Sequence, residues 1–249
     1  MKVLSVGGFS QSGKTTTVIN LTKELKKRGY RVVTIKDIHF QNFTMETEGS
    51  DSWKHWQASE DVVFARGQEE TYQIWHKKLS LREMLEHLSA DYVMVEGMKS
   101  FPLPHILCAS SFDDLEKLLD DTTFAASGIL ANEHNKYKNL RIYDAKKEVK
   151  ELADLVEEKV FEVLPYANPE CCQECGMTCA EMCTEILKGK KKREDCVMDN
   201  KEKIEVTIND KKITMVPFVQ NMIYDVIIGM LQNLKGFEKG DIRIEINNK

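Results

Sequence analysis

The stretch Gly8-Phe9-Ser10-Gln11-Ser12-Gly13-Lys14-Thr15 constrains this chain of 249 residues more than any other. It completes the pattern GxxxxGK[ST], and its flanks are the ones that pattern requires. Residues 2–6 are a short apolar run that reads as a strand, and residues 15–28 place Val18, Leu21 and Leu25 at helical spacing. Glycines let the main chain wrap closely around phosphate oxygens, so that successive N–H groups point inward. A helix starting near Lys14 adds the positive end of its dipole. Ser10, Gln11, Ser12 and Thr16 complete the loop and the turn that follows it. Lys14 is expected to bring a point charge to the β- and γ-phosphates, and the Thr15 hydroxyl to ligate magnesium.

Gly29 closes the helix, and residues 31–36 form a second buried strand. Strand, helix and strand joined in this way make a βαβ unit with a parallel sheet, so the fold class is α/β. Ligands of such sheets gather at the carboxyl ends of the strands. Residues 91–97, DYVMVEG, read as a buried strand ending in Glu96 and Gly97, and Asp37 directly follows the second strand. Both acids stand where a magnesium-bound triphosphate needs a carboxylate. Lys14 and Glu96 are therefore the candidate catalytic residues, with Thr15 and Glu96 as the magnesium ligands. Residues 37–60 read as a polar loop entering a short helix at 52–59, and residues 62–66 and 71–76 as a strand pair. A helix at 81–88, a strand at 123–132 and a charged helix at 144–160 follow.

Composition bounds the class. The formal net charge of -5 gives no basic balance of the kind a nucleic-acid binder shows. No run approaches the roughly 18 apolar residues of a membrane helix. The start MKVLSVGG enters a glycine loop too early for a secretion signal. The expectation is a cytoplasmic protein with no membrane and no nucleic-acid partner.

Six of the seven cysteines lie between Cys171 and Cys196. In a reducing compartment such a cluster points to metal rather than to disulfides. Cys172, Cys175, Cys179 and Cys196 give C-x2-C-x3-C-x16-C, soft donors that suit a [4Fe-4S] cluster, with zinc as the alternative. Cys183 joins an apolar helix stripe and Cys108 an apolar run, so both read as core residues. The composition shifts at Pro165. Three parts are expected: a nucleotide-binding domain over 1–165, a cysteine-rich iron–sulfur domain over 166–200, and a ββαβ unit over 201–249. The last is built from a hairpin at 203–216, a helix at 217–234 and a strand at 241–246.

Taken in order, GFSQSGKTT, VVTIK followed by Asp37 and His39, GSDSWKHWQAS, and VEGMK resemble the MobB family of molybdopterin-guanine dinucleotide biosynthesis adaptor proteins over residues 1–165. The resemblance implies a P-loop domain that binds GTP with magnesium and assists attachment of a nucleotide to molybdopterin. Its partners would be the molybdopterin cofactor and a guanylyltransferase or a molybdenum or tungsten enzyme. Gly49, Asp51, Ser52, Glu96, Gly97 and Lys99 match the family's motif positions and are carried over as site residues. Asp37 stands where the family has a histidine, Ser50 where it has a lysine, and Ala58-Ser59 where it has Ala-Gly. The segment around Cys172–Cys179 is similar to the four-cysteine [4Fe-4S] domains of corrinoid iron–sulfur proteins. The alternative function is an iron–sulfur electron-transfer or metal-delivery module whose docking is regulated by nucleotide. A slow GTPase activity and a homodimer are left open.

Overall fold

A computed structural model describes residues 1–40, 43–44, 46–98, 101–165 and 175–197, and, between 204 and 246, all but 210, 214, 216, 239, 241 and 245. Lys99, Cys171 and Cys172 lie outside the described residues. The chain forms two compact units, one of Met1–Tyr166 with Cys179–Arg193, the other of Ala167–Thr178 with Glu194–Lys249.

The first unit runs through β1 (Lys2–Gly7), α1 (Lys14–Lys27), β2 (Val32–Lys36), α2 (Asp51–Ser59), β3 (Val62–Arg66), β4 (Thr71–Trp75), α3 (Leu81–Glu86) and β5 (Tyr92–Glu96). It continues with β6 (His105–Cys108), α4 (Phe112–Leu118), β7 (Thr123–Ser127), a 3-10 turn at Ile129–Asn132, β8 (Lys136–Tyr137), β9 (Leu140–Arg141), α5 (Val149–Lys159) and α6 (Cys179–Leu187). Five strands make one parallel sheet in the order β2-β5-β1-β6-β7. β1 is central, so the loop that follows it opens between the ends of β5 and β6.

Both faces of the sheet are covered, which is why β5 reads as an unbroken apolar run. Tyr92 and Met94 pack with Leu4, Val6, Leu21, Leu25, Leu152 and Val156 on the face that carries α1 and α5. Val93 and Val95 pack with Val3, Leu81 and Leu103 on the other face. Each of these buried side chains contributes roughly 1.5–3 kcal/mol of hydrophobic stabilisation. Arg28, just past α1, ties that helix to α5. It donates to Asp154 and Glu157 at 2.7 Å each and to the Lys150 carbonyl at 2.9 Å.

β3 and β4 form a separate antiparallel hairpin in full register from Val62↔Trp75 to Arg66↔Thr71. Trp56 of α2 stacks on His76 beyond it, with ring centroids 4.1 Å apart. In the second unit, β10 (Val206–Ile208) and β11 (Lys211–Ile213) pair as a hairpin, and α7 spans Pro217–Leu231. Asn209 turns the hairpin at φ 49°, the left-handed conformation that a tight hairpin turn demands.

Three sequence expectations are corrected. The strand expected over 123–132 ends at Ser127, because Gly128 takes φ +98° and turns the chain into the 3-10 segment. The helix expected from 144 starts at Val149, because the Asp144 carboxylate accepts from the Lys146 and Lys147 N–H groups and holds a turn there. The described residues of the last expected strand, 242–244 and 246, are not in a strand. The isoleucines that suggested it, Ile242, Ile244 and Ile246, are exposed, so their alternation buries no face. Among the described residues, no helix is long and apolar enough to cross a membrane.

Leu21 is fully buried on α1, whereas Ile19 on the same helix is 46% exposed. Leu21→Ala is expected to lower unfolding free energy by about 2–5 kcal/mol. Ile19→Ala should change it by less than about 0.5 kcal/mol. Urea unfolding of the two variants checks the contrast.

Candidate nucleotide-binding site

The glycine loop is wedged against the ends of β6 and β7. A Cβ on Gly8 would lie 2.1 Å from the Cys108 carbonyl oxygen, and one on Gly128 would lie 2.2 Å from the Ser12 carbonyl oxygen. The Ile129 N–H donates to that Ser12 oxygen at 3.1 Å, and the Leu130 N–H to the Ala109 carbonyl at 2.9 Å. Ser12 is fully buried, and its hydroxyl makes no hydrogen bond among the described residues. Below the loop, the Thr17 hydroxyl donates to the Gly13 carbonyl at 3.1 Å and accepts from the Cys108 thiol at 3.4 Å. Thr17 also lies 3.2 Å from the Ser127 hydroxyl, which in turn donates to the Tyr143 carbonyl at 2.8 Å. Burial pushes the Cys108 thiol up to about 12, so it stays a neutral hydrophobe with a weak donor.

The start of α1 differs from that of α2, α3 and α4. Ser50, Ser80 and Ser111 cap those three helices with their side chains, and Glu83 and Asp114 complete capping boxes on two of them. α1 begins at Gly13 with no side-chain cap and no acid in its first turn. Its first N–H groups are thus left to an external acceptor, which is the arrangement that binds anions. The Lys14 ammonium is curled back and donates to the Phe9 carbonyl across the loop.

The acids lie on the other flank of β1. The Thr15 hydroxyl donates to Glu96 Oε1 at 2.8 Å, and Lys36 Nζ is 3.5 Å from the same oxygen. Glu96 is only 8% exposed. Register places Glu96 opposite both Val6 and Lys36, at the carboxyl edge of the sheet. The Asp37 N–H donates to the Glu96 carbonyl at 2.9 Å and the Gly97 N–H to the Val6 carbonyl at 3.1 Å, which locks the three strand ends together. His39 Nε2 lies 3.1 Å from the Gly97 carbonyl oxygen and 3.9 Å from Asp37 Oδ2. Thr15, Glu96 and Asp37 offer hard oxygen donors, the ligand chemistry that magnesium takes.

Gly49, Asp51 and Ser52 stand at the start of α2. Their described contacts are local. Asp51 pairs with Lys54 at 2.9 Å, and the Ser52 hydroxyl donates to Glu46 at 2.8 Å.

A group the sequence reading missed lies on the β7 side of the loop. A cavity of about 70 Å³ is lined by Gly13, Thr16, Gly128, Asn132, Asp144 and Lys146, among others. Residues 141–143 run beside β7, with Ile142 bridged in parallel to Ala126 and the Tyr143 N–H donating to the Ala126 carbonyl at 2.9 Å. Asp144 is therefore one more acid at the carboxyl edge. A run of RIYD ending in an acid was the available signal.

Among the cysteines, Cys175 and Cys179 are partly exposed, and Cys183 and Cys196 are buried. The Cys175 thiol donates to the Met177 carbonyl at 3.4 Å. Burial pushes the Cys183 thiol up to about 12, as suits a core residue. Among the described residues, no three His, Cys, Asp or Glu side chains gather as a metal-binding group.

The parallel sheet and the glycine loop between β1 and α1 define a P-loop α/β domain. Residues 3–126 match the model of the family described as Molybdopterin guanine dinucleotide synthesis protein B, so this part of the chain is a MobB-family domain. A Methanocaldococcus jannaschii protein, provisionally named a molybdopterin-guanine dinucleotide biosynthesis adapter protein, is 26% identical over 255 residues, covering 99% of this chain and 98% of that one. The Haemophilus influenzae adapter protein of the same biosynthesis is 38% identical over 112 residues, which cover 42% of this chain and 61% of that one. The crystal structure of Bacillus subtilis MobB superposes with a TM-score of 0.54 at 25% identity, over 66% of this chain and 100% of that one. The cysteine-rich and C-terminal parts thus have their counterpart in the archaeal relative.

Cys108 and Cys183 are expected to resist iodoacetamide at pH 8 in the folded protein and to react readily in denaturant, because only the thiolate attacks. Mass spectrometry of the alkylated peptides reads this out. Gly128→Ala forces a methyl against the Ser12 carbonyl and is expected to cost about 1–3 kcal/mol of stability, read as a lowered urea midpoint.

Proposed function

We propose that this chain binds GTP with magnesium and serves as an accessory protein in the biosynthesis of molybdopterin-guanine dinucleotide. We also propose that Cys172, Cys175, Cys179 and Cys196 hold a [4Fe-4S] cluster. The observation that carries the first reading is the 2.8 Å contact between the Thr15 hydroxyl and Glu96 beside an uncapped helix start. In that reading the loop N–H groups and Lys14 hold the phosphates, Lys14 leaving the Phe9 carbonyl for them. Thr15 and Glu96 hold magnesium, and Asp37, whose N–H donates to the Glu96 carbonyl, offers a further carboxylate at the same edge. The metal neutralises phosphate charge. Lys36, already beside Glu96, adds positive charge to the same edge. The adapter role rests on the names of the relatives. A guanylyltransferase that joins the nucleotide to molybdopterin is the partner this role implies.

The cluster reading is supported by the C-x2-C-x3-C-x16-C spacing and by the partly exposed thiols of Cys175 and Cys179. Its ligands would be soft thiolates, and it would supply one-electron redox chemistry or a structural clamp.

Calorimetric titration tests the nucleotide reading. Lys14→Ala is expected to weaken Mg-GTP binding at least tenfold, and Thr15→Ala to remove most of the magnesium dependence. Unchanged affinity in Lys14→Ala defeats the proposal. Anaerobic purification tests the cluster. Iron and acid-labile sulfide in equal amounts, lost in Cys175→Ser, support it, whereas stoichiometric zinc in a colourless protein overturns it.

A further inference from the structure

We infer that Asp144 is the residue that selects guanine over adenine, by accepting hydrogen bonds from the N1–H and 2-amino groups of the base in the cavity beside Gly128. This rests on the reading that the Gly8–Thr15 loop binds a nucleoside triphosphate.

The direction of the nucleotide follows from the sheet. Thr15, Glu96 and Asp37, the metal-binding end, lie on the β5 and β2 side of β1. The cavity lies on the β6 and β7 side and reaches Gly13 and Thr16 at the start of α1. A triphosphate whose terminal groups meet the acids must send its nucleoside the other way, past Thr16 and into this cavity. The cavity is small and open to solvent on one side, so a base placed there meets its lining by one edge. The edge that enters is therefore the one that is read.

Asp144 is built to read it. The residue is 9% exposed. Its Oδ1 is fixed by the N–H groups of Lys146 at 2.9 Å and Lys147 at 3.3 Å. Among the described residues, its Oδ2 meets the Lys147 ammonium at 3.2 Å, and that lysine side chain is 79% exposed. Burial works against the ionised carboxylate, but the Lys146 and Lys147 contacts outweigh it and hold the group below the usual carboxylate range. Asp144 is thus a pure acceptor at neutral pH. Guanine presents two donors to such an acceptor. Adenine presents the N1 lone pair and no 2-amino group, so lone pairs would face the charge. A site committed to hydrogen-bonding one edge rejects the analogue that lacks it. Asn132, on the same cavity, offers a carboxamide donor for the guanine O6.

Titrations with the magnesium salts of GTP, ATP, ITP and XTP test this on the full chain. Wild-type protein is expected to bind GTP at least tenfold more tightly than ATP, and more tightly than ITP, which lacks the 2-amino group. Asp144→Asn keeps Oδ1 as the acceptor for Lys146 and Lys147, so α5 still starts as it does. Its NH2 group now faces the 2-amino group of guanine but suits the 2-oxo group of xanthine. The variant is expected to lose at least tenfold in GTP affinity and to gain in XTP and in ATP affinity, because the new NH2 donor also meets the N1 lone pair of adenine. Equal wild-type affinity for GTP, ATP and ITP overturns the assignment even if Asp144→Asn does not fold. So does a folded variant with an unaltered ratio of GTP to XTP affinity. Either result, with binding still abolished by Lys14→Ala, leaves the phosphate-loop reading standing. Absence of binding for all four nucleotides overturns both.

Discussion

Close approach of main chain to main chain at Gly8 and Gly128 is the constraint on which the site depends. At each position, a single methyl group would overlap a carbonyl oxygen of a neighbouring loop. Because both positions lack a Cβ, the loop after β1 can lie flat on the ends of β6 and β7. The Ser12 carbonyl is then spent on Ile129. The acceptors of the loop are turned toward the protein, and the start of α1 keeps its donors on the open side. The open donors at the start of α1 are thus a consequence of how tightly these segments are stacked, before any side chain is considered.

Side chains then sort the two flanks of β1 into different tasks. The flank toward β5 and β2 gathers Lys36 with a hydroxyl and two carboxylates, hard oxygen donors that would suit a magnesium ion. The flank toward β7 gathers Asn132 and Asp144 around a small cavity. A buried line of polar groups, Cys108, Thr17, Ser127 and the Tyr143 carbonyl, runs under the loop on the β6 and β7 side. Each group in that line has a partner, so the line braces the loop from below, while the buried Ser12 hydroxyl in the loop itself makes no hydrogen bond among the described residues.

Much of this was legible in the sequence where a local rule sufficed. The GxxxxGKT pattern set the loop, apolar runs ending in an acid set β5 and Glu96, and alternation over 203–216 set the hairpin. β6 was missed because four residues, His105–Cys108, preceded by Pro102 and Pro104, carry too little pattern to be seen. α4 was missed although Ser111 and Asp114 stand at capping-box spacing. Asp144 was read as the first residue of a helix. Only the bridge between Ile142 and Ala126 shows that it ends a strand-like segment at the ligand edge. The alternation at 241–246 misled because period two signals a strand only when one face has something to cover. The described residues there are exposed.

The Arg28 contacts carry one further consequence. α1 is held at its beginning by Thr17 and Ser127 and at its end by the guanidinium that grips α5 at Asp154, Glu157 and the Lys150 carbonyl. A helix pinned at both extremities does not slide like a piston. Any displacement of its first turn would have to be lateral, and the Thr15 contact with Glu96, together with the Lys36 ammonium on the same carboxylate, ties such a displacement to the ends of β5 and β2.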